Sequence, residues 1–159
     1  AIAQANERAR SRGVPGLVSE QSLYNLIERR AELEVLPACR EYGLGVIPWS
    51  PLAGGLLAAP DEGGGRRQRE DAVAERALRA DQLGRFQSLA TALGEPVSAV
   101  ALAWLLHQEP VTATIIGPAD RRQLQSVLGV PELSLAAETL AAIDEIFPPC
   151  GEAPEAYAW

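Results

Sequence analysis

The sequence of 159 residues contains no methionine, and all fourteen of its basic residues are arginine, so it contains no lysine. The absence of lysine excludes, within this chain, a Schiff base, a pyridoxal anchor, a phosphate-loop lysine and a lysine that tunes a neighbouring acid. The single histidine, His107, excludes a site built from two or more histidines. Because a natural open reading frame begins with methionine, we expect a chain that begins at Ala1 to be a processed or truncated product.

Cysteine and clustered positive charge are also scarce. Cys39 and Cys150 lie far apart in the sequence and form no metal-binding or redox spacing, so we expect free thiols in the reducing cytoplasm. The formal net charge of −7 argues against a nucleic-acid partner or an anionic membrane surface, since both require clustered positive charge. No apolar run approaches the roughly 20 residues that a membrane span requires.

Three apolar runs of strand length, at residues 16–19, 44–49 and 111–117, alternate with segments of helical pattern. This alternation predicts an α/β fold with βαβ units around a parallel sheet that is buried on both faces. Helices are predicted at residues 1–12, 30–42, 81–93, 97–108 and 135–146. We expect Pro37 to kink the second of these helices and Ser134 to cap the start of the last one.

Residues 58–70 have the composition of a loop, with Pro60 and three consecutive glycines at 63–65 among alternating charges. One interpretation is a solvated linker. The other is a mobile flap over a ligand, because long loops inside compact domains are often functional. The composition of the segment leaves both interpretations open.

Residues directly after each predicted strand are the candidates for a site, because ligands of parallel α/β proteins bind at the carboxyl ends of strands. After the second strand, Trp49 is followed by Ser50 and the pair Gly54 and Gly55. A flat aromatic face beside main chain that can approach a ligand closely suits an aromatic ring joined to a pyrophosphate. The alternative is a core tryptophan followed by a plain turn. After the first strand, Gln21 offers an amide to a carboxamide.

The third predicted strand ends at Gly117 and leads into the start of a helix. Asp120, with Gln123 three residues later, resembles a capping box. Helix N-termini attract phosphate, and although a carboxylate at the cap repels it, Arg121 and Arg122 are placed to offset that repulsion. A satisfied cap with two solvated arginines is the alternative. No Gly-x-Gly-x-x-Gly fingerprint occurs, which disfavours a Rossmann cofactor site.

Five blocks of the sequence together resemble the aldo-keto reductases. In chain order they are QSLYNLI at 21–27, VLPACR at 35–40, GVIPWSPLAGGLL at 45–57, ALAWLL at 101–106, and IIG at 115–117 followed by Gln123-Leu124. Members of that family are (β/α)8 TIM barrels that reduce carbonyl compounds with NADPH. The resemblance implies that residues 1–159 are the C-terminal part of one barrel domain, covering about strands 6 to 8 and their helices. The Trp-Ser-Pro-Leu block is similar to the branch that includes the potassium-channel β-subunits.

The resemblance also implies a cofactor-binding role for ten residues. Gln21 would hold the nicotinamide carboxamide, and Trp49 would stack on the nicotinamide ring. The main chain of Ser50, Pro51, Leu52, Ala53 and Gly54 would follow the pyrophosphate, and Gly117, Arg121 and Gln123 would lie at the adenosine end. The segment 63–69 falls where the family has a flap over the cofactor. The expected cofactor is NADP, with NAD as the alternative, because Ala119 and Asp120 stand where many members grip the 2′-phosphate.

The family's catalytic tetrad, an Asp, a Tyr, a Lys and a His, comes from strands 2 to 4, which the matched blocks do not include. Since the chain has no lysine, no local substitute supplies the tetrad. We therefore assign no catalytic residue here. We interpret His107 as a residue that caps or solvates the end of a helix, and Trp104 and Cys39 as core positions. The chain is expected to be the cofactor-binding part of a reductase of small aldehydes or ketones, and to be inactive alone. The alternative is a non-catalytic nicotinamide-binding or regulatory module.

Overall fold

A computed structural model describes residues 1–58 and 70–151 of the chain, in which helices alternate with short extended segments. The predicted loop at 58–70 therefore lies almost wholly outside the described residues. The helices are α1 (Ile2–Ser11), α2 (Val35–Tyr42), α3 (Glu70–Leu78), α4 (Ala80–Leu93), α5 (Val97–Leu106), α6 (Arg121–Gln125) and α7 (Ala137–Ile146). The strands are β1 (Ser19–Glu20) and β2 (Gly45–Val46). Short 3-10 turns occupy Arg30–Glu32, Ala53–Gly55 and Val130–Glu132.

The extended segments form a parallel sheet in the order of the sequence. Strands β1 and β2 are paired with Ser19 opposite Gly45, and a further parallel bridge joins Leu23 to Trp49. A third segment lies on the other side of β2, where Val111 forms a parallel bridge to Val46. The predicted parallel arrangement is thus confirmed.

The third segment is less regular than the predicted strand at 111–117. The amide of Thr112 donates to Val46 O at 2.9 Å, and the next such bond runs from Ile115 to Pro48 O at 2.9 Å. Three residues of the third segment therefore match two residues of the β2 segment. The extra residue interrupts the ladder as a bulge does, which explains why Val111 is the residue with a regular bridge.

The first run, at 16–19, was predicted to be buried, and this prediction is wrong. Residues 16–19 are exposed, with Val18 75% accessible. Pairing with β2 begins only where the amide of Gly45 donates to Val18 O. The physical reason is that residues 16–18 precede the paired residues of β1 and that none of residues 16–19 belongs to the hydrophobic core or packs against it.

Helix α5 forms the centre of the hydrophobic core. Its residues from Ser98 to Leu105 are all buried, since the helix is apolar on every face. Trp104 is 1% exposed and Cys39 of α2 is fully buried, as predicted for core positions. Within the described residues no single helix has the length and apolar character of a membrane span, although α4 and α5, bent by 90° at their break, meet that test as a pair.

Three details of the predicted helices are corrected by the structure. The pattern at 30–42 is divided into a 3-10 turn and α2, with the interruption before Val35. Pro37 is the third residue of α2, where its missing amide costs no intrahelical bond, so the helix is not broken there. Ala136, not Ser134, immediately precedes α7. Helix α3 had no counterpart among the predicted helices.

Arg29 is the buried ionic centre of the fold. It is 7% exposed, and its Nε donates to Glu32 Oε1 at 2.7 Å while Nη1 donates to Asp144 Oδ1 and to Phe147 O, both at 2.6 Å. Its guanidinium carbon lies 5.0 Å from the ring centroid of Trp104. Arg29 thus joins the segment after β1 to the core helix α5 and to the end of α7.

The charges of this cluster support one another. Burial opposes the charge of Arg29, yet the hydrogen bonds with Glu32 and Asp144 outweigh burial and raise the pKa of Arg29 above its ordinary value. Tyr24, which is fully buried, donates its hydroxyl to the same Glu32 oxygen at 2.7 Å. Burial and the neighbouring carboxylate raise the pKa of Tyr24 above its ordinary range, so its phenol remains a donor.

The loop after β2 holds two strained residues. Ser50 and Ala53 have φ values of +54° and +49°, and within the described chain they are the residues other than glycine with positive φ. Left-handed backbone costs roughly 1–2 kcal/mol for a residue with a Cβ. The loop is held by bonds from Ala53 N to Ser50 O at 2.9 Å and from Arg76 Nη2 to Gly55 O at 3.0 Å. Strain is therefore concentrated at the carboxyl end of β2.

Replacing Arg29 by alanine should destabilise the chain strongly, by about 3 kcal/mol, because the largely buried Glu32 loses the cation that neutralises it and the buried Phe147 O loses its donor. The matched control is Arg30→Ala, since Arg30 pairs with Glu28 while its side chain is 77% exposed. The control should change stability far less. Urea unfolding followed by circular dichroism measures both, and equal losses in the two variants would contradict a central role for Arg29.

Ala53→Gly should stabilise the chain by up to about 1 kcal/mol, because glycine adopts positive φ without steric cost. The same replacement in the exposed middle of α7, Ala141→Gly, should instead destabilise it by about 0.5–1 kcal/mol. Ala53 is half-buried and packs against the core, so the expected gain is the strain that glycine releases less the packing of one methyl group. Urea unfolding measures both variants, and equal losses of stability would contradict the strain assigned to Ala53.

Candidate functional site

The parallel sheet brings Gln21 and Trp49 to the same edge. The register that pairs Ser19 with Gly45 and Leu23 with Trp49 places them on adjacent segments, where both run toward their carboxyl ends. The amide of Trp49 donates to Ser22 O at 3.0 Å, so the segment that follows β1 is fixed relative to the segment that follows β2. The side chain of Gln21 is exposed at this edge.

Trp49 presents its indole to the surface. It is 44% exposed, whereas Trp104 is 1% exposed. The alternative that Trp49 is a core aromatic is therefore contradicted. A half-exposed tryptophan at the carboxyl end of a strand offers a flat apolar face on which a planar ring can stack.

The predicted pyrophosphate segment follows Trp49 directly as the strained loop. Pro51 is buried, Leu52 packs against the core and Gly54 is exposed. Ser50, Ala53 and Gly54 all have left-handed backbone, with Gly54 at φ +65°. The alternative of a plain turn does not account for two residues with a Cβ in this conformation. Main chain held in uncommon dihedrals by its surroundings is typical of ligand-binding segments.

Asn25 holds this loop from the neighbouring segment, and the sequence reasoning missed it. Its side chain is 2% exposed, and its Nδ2 donates to Ser50 O at 3.0 Å. Its Oδ1 accepts from the amides of Ile27 and Glu28, both at 2.9 Å. A polar residue inside the apolar stretch 23–27 was the available signal, since a buried amide must satisfy its hydrogen bonds.

The third predicted stretch lies on the loop from Gly117 into α6. Asp120 Oδ1 accepts from the amide of Gln123 at 2.9 Å, which confirms the predicted N-cap. Gln123 Oε1 accepts from the amide of Ala119, the residue before the cap, at 2.7 Å, so the pair differs from a capping box, in which this bond would come from the amide of Asp120 itself. Gly117 and Arg121 are exposed, and Arg121 forms no ion pair with any residue in 1–58 or 70–151.

His107 lies at the end of α5 and bridges two main-chain segments. Its Nδ1 is 2.8 Å from Ala103 O, and the amide of Leu135 donates to Nε2 at 3.3 Å. The predicted capping role is confirmed, because both ring nitrogens serve the backbone. In the described part of the chain, no group of three or more His, Cys, Asp or Glu side chains is arranged to hold a metal.

A cavity of about 200 Å³ opens beside the end of the loop after β2. Its walls include Leu56 and Ala58 of the loop, Arg76 of α3, and Leu83 and Phe86 of α4. None of the ten predicted cofactor residues lines it. The predicted residues are instead arranged along the carboxyl edge of the sheet and in the loops that leave it.

The aldo/keto reductase family model matches residues 2–147 of the chain. Members of this family have a (β/α)8 barrel, and three parallel segments flanked by helices are consistent with part of such a barrel. The order of the segments in the sheet follows their order in the sequence, as it does in a barrel.

Curated proteins of similar sequence are named as oxidoreductases or reductases, one of them as an aldo-keto reductase. The chain is 47% identical over 166 residues to a protein named uncharacterized oxidoreductase YrpG from Bacillus subtilis, covering 99% of this chain and 49% of that protein. It is 33% identical to aldo-keto reductase AMT2 from Alternaria alternata, with 84% of this chain and 38% of the relative covered. It is 30% identical to versiconal hemiacetal acetate reductase from Aspergillus parasiticus, with 83% and 40% covered. The chain thus spans about half the length of these relatives or less, and it belongs to the aldo/keto reductase family.

Proposed function

We propose that this chain is the nicotinamide-binding part of an aldo-keto reductase that reduces small aldehydes or ketones. In this proposal residues 1–159 correspond to the C-terminal part of one barrel domain, about strands 6 to 8, of the branch with a Trp-Ser-Pro-Leu block. The family match over residues 2–147 and the order of the sequence blocks support it. The coverage of about half of the relatives' length agrees with a part of a barrel.

The observation that carries the proposal is the exposed face of Trp49 beside a strained and anchored loop. The indole is 44% exposed, and the loop that follows it has left-handed backbone at Ser50, Ala53 and Gly54. An aromatic face joined to such main chain suits a planar ring that is linked to a pyrophosphate. The residues present therefore fit a nicotinamide dinucleotide.

The ten residues take distinct roles in this proposal. Gln21 holds the nicotinamide carboxamide, and Trp49 supports the ring by stacking. The main chain of the loop follows the pyrophosphate, along Ser50, Pro51, Leu52, Ala53 and Gly54. Gly117, Arg121 and Gln123 lie at the adenosine end. A reduced nicotinamide, when bound, supplies the hydride for carbonyl reduction.

This chain's own contribution is to bind and orient the cofactor rather than to protonate the substrate. Tyr24 is fully buried and its hydroxyl is committed to Glu32, so it does not reach a substrate. The chain contains no lysine to complete a tyrosine-based acid. We propose that it is inactive alone, and oxidation of NADPH by this chain in the presence of an aldehyde would contradict that.

Titration of the chain with NADPH and NADH should quench tryptophan fluorescence, because the exposed indole of Trp49 would stack on the nicotinamide. Trp49→Leu should abolish most of the quenching and weaken binding, measured by calorimetry, by between about twofold and tenfold, as expected for the loss of roughly 0.5–1.5 kcal/mol of ring stacking. A folded wild-type chain that binds neither cofactor would overturn the proposal. Equal affinity of the Trp49→Leu variant would overturn the role of Trp49.

The choice between NADP and NAD should depend on the charge of Asp120. Asp120→Asn keeps a good N-cap for α6 and removes the carboxylate, so it should raise the affinity for NADPH relative to NADH by about fivefold. Asp81→Asn, in the first turn of α4, is the control for net charge and should leave the ratio unchanged. The dissociation constants of both cofactors test this prediction. An unchanged ratio of NADPH to NADH affinity in Asp120→Asn would show that the adenosine end of the cofactor does not bind near Asp120.

A further inference from the structure

We propose that Asn25 is a positioning residue that sets the conformation of the loop after β2 for binding the cofactor's pyrophosphate. This inference rests on the function proposed above. It concerns a residue outside the ten assigned to the cofactor, and it states how the strained loop keeps its shape.

Both polar atoms of the Asn25 side chain, Oδ1 and Nδ2, form hydrogen bonds. Its Oδ1 accepts from the amides of Ile27 and Glu28, and the amide of Asn25 itself donates to Glu28 O at 3.1 Å. These bonds close a tight turn and fix the orientation of the carboxamide. The remaining end, Nδ2, then points to one acceptor, Ser50 O, at 3.0 Å.

The turn itself is fixed in the core. Tyr24 and Leu26, on either side of Asn25, are 0% and 2% exposed. Arg29, four residues later, is tied to Asp144 and Phe147 O near the other end of the chain. The carboxamide of Asn25 is therefore a rigid donor and not an adaptable surface group.

The acceptor, Ser50 O, lies at the point where the loop is strained. Ser50 has φ +54°, and its carbonyl accepts a second bond from the amide of Ala53 at 2.9 Å. Two donors on one carbonyl fix the peptide plane between Ser50 and Pro51. Because a residue with a Cβ persists in this conformation only when its surroundings determine it, Asn25 is the fixed group that holds Ser50 there. Trp49 directly precedes Ser50, so the same bond sets the relation between the indole and the loop.

The variant Asn25→Asp tests this bond with little change of shape. Aspartate keeps the oxygen that caps the turn, loses the donor to Ser50 O and places a carboxylate oxygen against that carbonyl, so repulsion adds to the lost bond. The chain offers a matched control in Asn6→Asp, because Asn6 is 8% exposed, donates its Nδ2 to Ile2 O at 3.1 Å and accepts from the amide of Leu17 at 3.0 Å. The two variants thus remove the same kind of bond, one at the loop and one away from it.

Hydrogen exchange without cofactor is the first measurement. In Asn25→Asp the amides of Ala53 and Gly55 should exchange at least about fivefold faster, since one lost hydrogen bond alone accounts for that change and the carboxylate repels Ser50 O, while the sheet amide of Ile47 is unchanged. Asn6→Asp should leave all three amides as in the wild type. Equal exchange of Ala53 and Gly55 in the two variants would overturn the proposal. If Asn25→Asp does not fold, Asn25→Ser replaces it, since serine can still accept from the turn but is too short to reach Ser50 O.

Cofactor binding is the second measurement, made by calorimetry with NADPH as the probe. Asn25→Asp should weaken binding about fivefold or more, and the effect should shrink in a Ser50→Gly background, because glycine adopts positive φ without being held. Additive effects of the two substitutions would contradict the proposal. A wild-type chain that binds no NADPH would count against the proposed function alone, since exchange at Ala53 and Gly55 still decides the role of Asn25.

Discussion

The burial of the Arg29 guanidinium is the constraint on which the rest of this structure depends. A charged group in the interior is stable only while its partners remain in place, because an uncompensated buried charge is far more costly than the pair is favourable. The partners of Arg29 come from the segment after β1 and from the end of α7. The segment that leaves the first strand is consequently tied to the C-terminal helix through the core.

The turn at Asn25 connects the buried cluster around Arg29 to the loop after β2. The turn lies between buried residues and donates one hydrogen bond to the loop after β2. A strained loop is compatible with a stable fold when its neighbours are rigid, since the strain is then compensated elsewhere. The loop can therefore keep an uncommon backbone shape before any ligand binds, and such preorganisation reduces the entropic cost of binding.

The elements that were predicted correctly are those that depend on local pattern. The helices α4 and α5, the cap at Asp120 and the buried position of Trp104 follow from periodicity and capping chemistry within a few residues. The errors arise where the exposure or pairing of a segment depends on residues outside the local sequence pattern. Val18 is apolar but exposed because it precedes the paired residues of β1 and lies outside the packed core, and the strand at 111–117 is interrupted because its pairing with the β2 segment accommodates an extra residue.

The features of the candidate site likewise divide into those that the local sequence predicts and those that depend on distant contacts. The sequence by itself determined the family resemblance, the order of the parallel segments and the position of Trp49 and its loop after a strand, because these are properties of short contiguous blocks. Only the tertiary structure decided that Trp49 is exposed, that Asn25 holds Ser50 and that Arg29 meets Asp144. Those last two pairs lie 25 and 115 residues apart, and no local pattern specifies which distant polar group will satisfy a buried donor.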